Sequence, residues 1–399
     1  MLSKPSLNSP CSCGSQKKFK HCCFLRKDKS KIDIENNVRN AWNFFNRGFL
    51  DEALNLCESV LKINPQRAES VYLSGLIFLR DGQIKRAIDF LLKANILFPK
   101  HFEVLTNLGF AYHEIGEVNL AKTLYLESLS IHPQYINAYY NLHALYIDEG
   151  DFVEAKSCLE KIISINNADL DAIFMLGLLH DYTDDAISAK PYFEKIKQST
   201  SLLLARLEAW QYLKTQFKKK PILTGSINQT FQIAMNASNE EGLILEFGVR
   251  HGNSINQLAK LTISTVHGFD SFEGLPTEWH NESKESYSTK GIIPDVEKNV
   301  ILYKGWFEDT LTEFSKNYPE SIRLINIDCD LYSSTSTILK ILAPQIQSGT
   351  VLIFDEYIGN EHWKEDEFKA FQEAVNFNQW KYEYLAFSFF TKQVVVKIL

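Results

Sequence analysis

From about residue 36 the chain repeats itself every 34 residues, and this period constrains what its first half can fold into more than any other feature. Ala53, Ala87, Ala121, Ala155 and Ala189 share one repeat position, Gly48, Gly82, Gly116 and Gly150 a second, and Pro65, Pro99 and Pro133 a third. Gly75, Gly109 and Gly177 mark a fourth, with His143 in the remaining slot. A unit of this length holds two short helices. Small residues let the helices cross closely, glycine reverses the chain between them, and proline ends the second before the next unit begins. Second helices such as ALNLCESVLKI and AIDFLLKANIL carry their apolar residues at helical spacing. The prediction is an all-α solenoid of five units over residues 36–200, the last irregular, with a concave face.

These in-phase positions resemble the tetratricopeptide pattern, which implies recruitment of a protein partner; a spacer or dimerisation scaffold is the plainer alternative. Residues 201–240 read as a connector. LLLARLEAWQYLKTQFKKK is a capping helix that ends at Pro221, its lysine run a solvated helix end, and SINQTFQIAMNA is a second helical stretch.

A chain of 399 residues exceeds one core, so two large domains plus a minor module are expected. The net charge of -7 and pI near 5.9 give no whole-molecule reason to bind nucleic acid or an anionic membrane. A membrane span and a secretory leader are both missing from the apolar pattern, so the expected location is cytoplasmic. The first 31 residues are basic, with eight Lys and Arg against Asp28, which reads as a solvated or partner-contacting tail.

Four of seven cysteines crowd into PCSCGSQKKFKHCC, spaced C-x-C-x8-C-C through Cys11, Cys13, Cys22 and Cys23. Two close pairs joined by a turn can surround one tetrahedral zinc ion, and a segment this short has no other folding energy. A cysteine-rich tail, with His21 replacing one thiolate, is the alternative. The segment, residues 1–30, resembles the SEC-C motif of the SecA translocation ATPase, which implies structural Zn2+ and a protein or ribosomal partner.

From residue 241 the pattern changes to short β-branched runs alternating with helical segments, which predicts a parallel α/β sheet. The strands are GLILEFGV, STVHGFD, VILYKG, SIRLINID and TVLIFDEY, with a closing antiparallel pair around WKYEYLAFS and QVVVKIL. Ligands of such sheets sit at the carboxyl ends of the strands. There the first strand delivers Glu246, Gly248, Gly252 and Ser254, and the second ends in Asp270, placed to accept both ribose hydroxyls of a nucleoside cofactor. The spacing is not that of dinucleotide binders, and the set favours S-adenosylmethionine over NAD. The fourth and fifth strands end in Asp328, Asp330, Asp355 and Glu356. Carboxylates at close quarters call for a cation, and oxygen-only ligands suit Mg2+, with Ca2+ or Mn2+ as alternatives. Such an ion lowers the pKa of a bound hydroxyl while a carboxylate takes its proton. The long polar loop 276–299, with Trp279, His280 and Tyr287, is a substrate lid or a plain surface loop.

The blocks ILEFGVRHGNSI, VHGFDSFEGLPTEW, KGWFEDTL, IDCDLYSST, GTVLIFDEYIG and WKEDEFKAFQE resemble the macrocin O-methyltransferase family over residues 240–398. The resemblance implies a Rossmann-like class I methyltransferase domain that methylates a sugar hydroxyl with a divalent metal on strand-end carboxylates. It further implies cofactor contacts from Glu246, Gly248 and Asp270, with Trp306 and Phe307 near the adenine. Asp330 or Asp328 is the candidate base, and Asp328, Asp330, Asp355 and Glu356 are the candidate Mg2+ ligands. One departure is Asp-Glu, rather than Asp-Asp, after the fifth strand. The function expected is O-methyl transfer to a sugar or glycosylated small molecule, with the repeats recruiting a partner. The alternatives are a protein or peptide methyltransferase, and a repeat-based scaffold with an inactive methyltransferase domain.

Overall fold

Helices follow one another from Cys23 to Gln216, and an eight-stranded sheet with its flanking helices occupies residues 222–399. The computed structural model describes residues 9, 15–18 and 23–399, without the side chains of 23–32. The zinc ligands expected at Cys11, Cys13, Cys22 and Cys23 therefore lie outside the described residues, Cys23 entering only as backbone. Among the described residues no helix is long and apolar enough to cross a membrane.

The chain forms two compact units, Met1–Ala111 and Tyr112–Leu399. The first consists of helices Cys23–Asn46, Leu50–Ile63, Ala68–Arg80 and Ile84–Leu97 and most of Phe102–Glu114. Its core joins Ala41, Ala53, Cys57, Leu73 and Ile77. The repeated residues act as their positions require. Gly48 and Gly82 stand at φ +85° and +79°, a left-handed turn in which Gly82 N–H donates to Leu79 O and Gln83 N–H to Phe78 O, satisfying the last carbonyls of the preceding helix. A Cβ on Gly75 would lie 2.9 Å from Leu91 Cγ, where paired helices cross.

The second unit continues the pattern through Val118–Ile131, Ile136–Asp148, Phe152–Ile165, Leu170–Tyr182 and Ala186–Ile196. Ala121, Ala155 and Ala189 are buried, and Asp184 takes the fifth left-handed turn at φ +67°, a conformation Asp tolerates. The capping helix Ser201–Gln216 ends four residues earlier than expected from Pro221. The backbone turns extended at Phe217, and beyond it Lys220 Nζ reaches Tyr182 O at 2.6 Å and Asp184.

The strands are β1 Ile222–Leu223, β2 Leu243–Phe247, β3 Val266–Asp270, β4 Val300–Lys304, β5 Ile322–Ile327, β6 Val351–Phe354, β7 Tyr382–Phe387 and β8 Val394–Ile398. They lie in the order β1-β7-β8-β6-β5-β2-β3-β4, parallel except for β8, which runs antiparallel to both neighbours. The chain steps outward from β2 to β4 and then returns to the other side of β2, so the strand order reverses between β2 and β5. Crevices open at the carboxyl ends of strands where the order reverses in this way. β1 was not expected, since two residues carry no alternation to read.

The later repeats share a core with the sheet. Trp210 is buried and stacks on Phe387 at 5.5 Å, and Phe174 meets Phe389 edge-on at 5.3 Å. Asp148 accepts the N–H of Gly225 at 2.6 Å, and a Cβ on Gly225 would fall 1.9 Å from Ala144 O. Glycine is required at this contact.

Candidate active site

At the reversal of strand order a cavity of about 500 Å³ opens at the strand ends, lined among others by Gly248, Asp270, Trp306, Asp328, Asp330 and Asp355. Gly248 leaves β2 at φ +94°, and a Cβ there would sit 1.7 Å from Asp328 O. Only glycine lets the ends of β2 and β5 come this close.

Asp270 forms one wall. Its Oδ2 accepts the N–H groups of Val249 and Arg250, both at 2.8 Å, and its Oδ1 accepts that of Phe272 at 2.6 Å. One carboxylate thus fixes the glycine loop after β2. Its two oxygens offer about four lone-pair sites, so capacity remains for a ligand. Trp306 caps the helix Phe307–Asn317 and lines the cavity beside Phe307, which packs edge-on against Phe247 at 5.3 Å.

Glu246, Gly252 and Ser254 stand behind this wall rather than in the lining. Glu246 is fully buried, accepting from Ser254 Oγ at 2.8 Å and from Asn326 Nδ2 at 3.1 Å. Burial, with added repulsion from Asp355 and Asp270, pushes its pKa up to about 8. It ties the first helical turn after the loop to β5.

Four acids, Asp328, Asp330, Asp355 and Glu356, line the same cavity as Asp270. Burial, then repulsion from Asp355 and Asp330, holds Asp328 well above the usual carboxylate range. Asp330, in a left-handed conformation at φ +60°, is pushed up to about 7 by burial and then by Glu356. The same two causes push Asp355 to about 7. Gln393 Nε2 donates to Asp355 Oδ1 at 2.7 Å, and Lys392 Nζ pairs with Glu356 at 2.8 Å. Asn360 Nδ2 also donates to Glu356, at 3.2 Å.

A fifth acid escaped sequence reasoning. Glu367 is fully buried, its Oε2 accepts Glu356 N–H at 3.0 Å, and its Oε1 has no hydrogen-bond partner. Burial and then Asp355 raise its pKa well above the ordinary value. It opens a helix far from any strand end, so no spacing rule marks it. The loop after β3 supplies Leu275, Pro276, Thr277 and Tyr287 to the lining. It is anchored by Asp366, whose Oδ2 accepts Trp279 Nε1 at 2.9 Å and lies 2.7 Å from His280 Nε2.

Residues 245–357 match the family described as a methyltransferase domain. Residues 8–25 match the SEC-C motif, 136–169 a tetratricopeptide repeat, and 46–128 the family of subunit 3 of the anaphase-promoting complex, or cyclosome. A Streptomyces olivaceus protein described as 8-demethyl-8-(2,3-dimethoxy-alpha-L-rhamnosyl)-tetracenomycin-C 4'-O-methyltransferase is 30% identical over 149 residues, or 30% of this chain. The chain spans 55% of the length of that relative. Among solved structures, MamA aligns at 24% identity over 47% of this chain and 96% of its own, with a TM-score of 0.36. A thermophilic tetratricopeptide protein of Thermus thermophilus aligns at 20% identity over 45% of this chain and 100% of its own, with a TM-score of 0.39. A methyltransferase domain, tetratricopeptide repeats and a SEC-C motif thus share a single chain.

Proposed function

We propose that the chain is an S-adenosylmethionine-dependent O-methyltransferase of the macrocin type, acting on a hydroxyl of a sugar or glycosylated small molecule. In this reading residues 241–399 form a Rossmann-like class I catalytic domain, 201–240 a connector, 36–200 a partner-recruiting repeat array and 1–30 a structural zinc motif. The observation that carries it is the meeting, around one cavity, of the Asp270-fixed glycine loop and a group of buried acids with raised pKa values.

The cavity is of the size that takes a cofactor, and Gly248 lines it where the ends of β2 and β5 meet. Gly248, Asp270, Trp306 and Phe307 would hold the cofactor, with Glu246, Gly252 and Ser254 supporting the loop from behind. S-adenosylmethionine supplies, when bound, a methyl group on a positively charged sulfonium. Asp330, poised near neutral pH, takes the proton from the acceptor hydroxyl, and Asp328 beside it helps to orient that hydroxyl. Tyr287 and its loop limit the entry of water.

An all-oxygen set of crowded, buried carboxylates also suits a hard cation, and Asp328, Asp330 and Asp355 would share Mg2+ with Glu356. That ion would offset their repulsion and acidify the hydroxyl. Of the four, Glu356 already has a cation beside it in Lys392.

Calorimetric titration with S-adenosylmethionine, with and without Mg2+, tests the reading. Micromolar binding that Asp270→Ala abolishes is expected. Methyl transfer into a glycoside fraction, and not into protein, then separates the small-molecule substrate from a peptide. Absence of cofactor binding under both conditions would leave the scaffold alternative standing.

A further inference from the structure

Three residues of the loop after β2 stand in the left-handed region, Gly248 at φ +94°, Arg250 at +46° and Gly252 at +78°. Glycine takes that conformation at no steric cost, and arginine does not. The backbone of Arg250 is held there by its N–H, which donates to Asp270 Oδ2 at 2.8 Å. A side chain kept on strained backbone at the wall of a cavity points to a task for that side chain.

The charges around the cavity define the task. With Asp270 and Glu308 the lining holds six carboxyl groups, the others being Asp328, Asp330, Asp355 and Glu356. Among the described residues of the lining, Arg250 is the one basic side chain. The acids already have a cation from outside the lining, since Lys392 Nζ pairs with Glu356 at 2.8 Å. The guanidinium of Arg250 lies instead over the ring of Tyr287, its Cζ 5.3 Å from the centroid, and Tyr287 lines the same cavity. A contact through the face of a guanidinium uses none of its in-plane N–H donors, the fork that matches a carboxylate.

S-adenosylmethionine carries a sulfonium, an ammonium and a carboxylate. In this cavity either cation meets carboxyl groups, whereas the carboxylate meets repulsion except at Arg250. We propose that Arg250 binds the carboxylate at the amino-acid end of the cofactor, so that the loop fixed by Asp270 also holds that end. The inference rests on the methyl-transfer reading and adds to it the residue that tells the whole cofactor from its adenosine part.

The test titrates the full chain calorimetrically with S-adenosylmethionine and with its decarboxylated form, which keeps the adenosine, the sulfonium and the ammonium. Wild type, Arg250→Gln and Arg250→Lys are compared. Arg250→Gln should weaken S-adenosylmethionine about 10- to 100-fold, the usual worth of a charge-assisted pair of hydrogen bonds. It should bind the decarboxylated ligand no more weakly than the wild type does, and that retained binding also shows that its site is folded. Arg250→Lys keeps the charge without the fork and should fall between the two. An equal loss for both ligands, or no loss for either, would overturn the role of Arg250 while leaving the cofactor reading in place. A wild type that binds neither ligand would overturn that reading and this inference with it.

Discussion

Asp355→Asn should stabilise the protein at the expense of its chemistry. Asp355 is held at about 7 against an ordinary value of 3.8, because burial and Glu356 disfavour its charge. The folded state therefore keeps a proton that the unfolded chain gives up between those values. Stability falls as pH rises from about 4 to about 7, and the full penalty is present above that. Three units correspond to a ceiling of about 4 kcal/mol. Asn keeps the bond from Gln393 Nε2 and removes the charge. Some of the gain is lost, because Asp328 and Asp330 ionise more readily once their neighbour is neutral and the new amide needs acceptors. A net gain of about 1–2 kcal/mol is expected at pH 8, or about 3–6 °C in melting temperature for a unit of this size. Scanning calorimetry of both proteins at pH 8 and pH 4 measures it. The gain should fall to a small fraction at pH 4, where the folded carboxyl is protonated and the unfolded one is only partly ionised. A variant that melts no higher at pH 8, or gains equally at both pH values, refutes the claim that burial and Glu356 disfavour the charge of Asp355.

Gly248→Ala should destabilise by more than about 3 kcal/mol in denaturant unfolding, since it combines a 1.7 Å clash with Asp328 O and a left-handed backbone. Lys392→Met should move the pH midpoint of methyl transfer upward from near 7, because Lys392 lowers the pKa values of Asp330 and Asp355, and Lys392→Arg should restore it. A fragment spanning 221–399, which keeps β1 and the helix Ile227–Ala237, should aggregate, judged by light scattering, whereas one spanning 112–399 should unfold cooperatively. A soluble, cooperative 221–399 fragment would show that the repeat helices are dispensable to the sheet.

The repeat helices were legible because each period restates the same physical demands: buried alanine at the crossing, left-handed glycine at the turn, proline after the second helix. The sheet was legible from β-branched runs, and four of the cavity acids from their place at strand ends. The support for those acids was not. Gln393, Lys392, Glu367 and Asp366 reach the site from other segments, where only packing decides which side chains meet. Glu246 shows the same limit. Its position at the end of β2 suggested a cofactor contact, yet Asn326 on the neighbouring strand and Ser254 on the next helix claim its carboxylate. The seam between repeats and sheet was hidden for a different reason. Tyr182 and Trp210 follow ordinary helical spacing, and that spacing does not tell which apolar surface they cover.

That seam explains why a truncated sheet should fail. β1 is an edge strand of two residues, and an open parallel edge invites association with another chain. Here the helix Leu170–Tyr182 blunts it. Tyr182 Oη donates to Pro221 O at 3.1 Å and accepts the N–H of Leu223 at 3.2 Å, while its ring packs against Trp210 and Phe387. One side chain thus satisfies the backbone on both sides of Ile222 and seals the apolar surface beneath. The acids at the ends of β5 and β6 weaken the same unit by their burial. A sheet that carries such a cavity gains from apolar cover at its far edge, and the last repeats supply it. The last repeats are therefore part of the stability of the unit that holds the cavity.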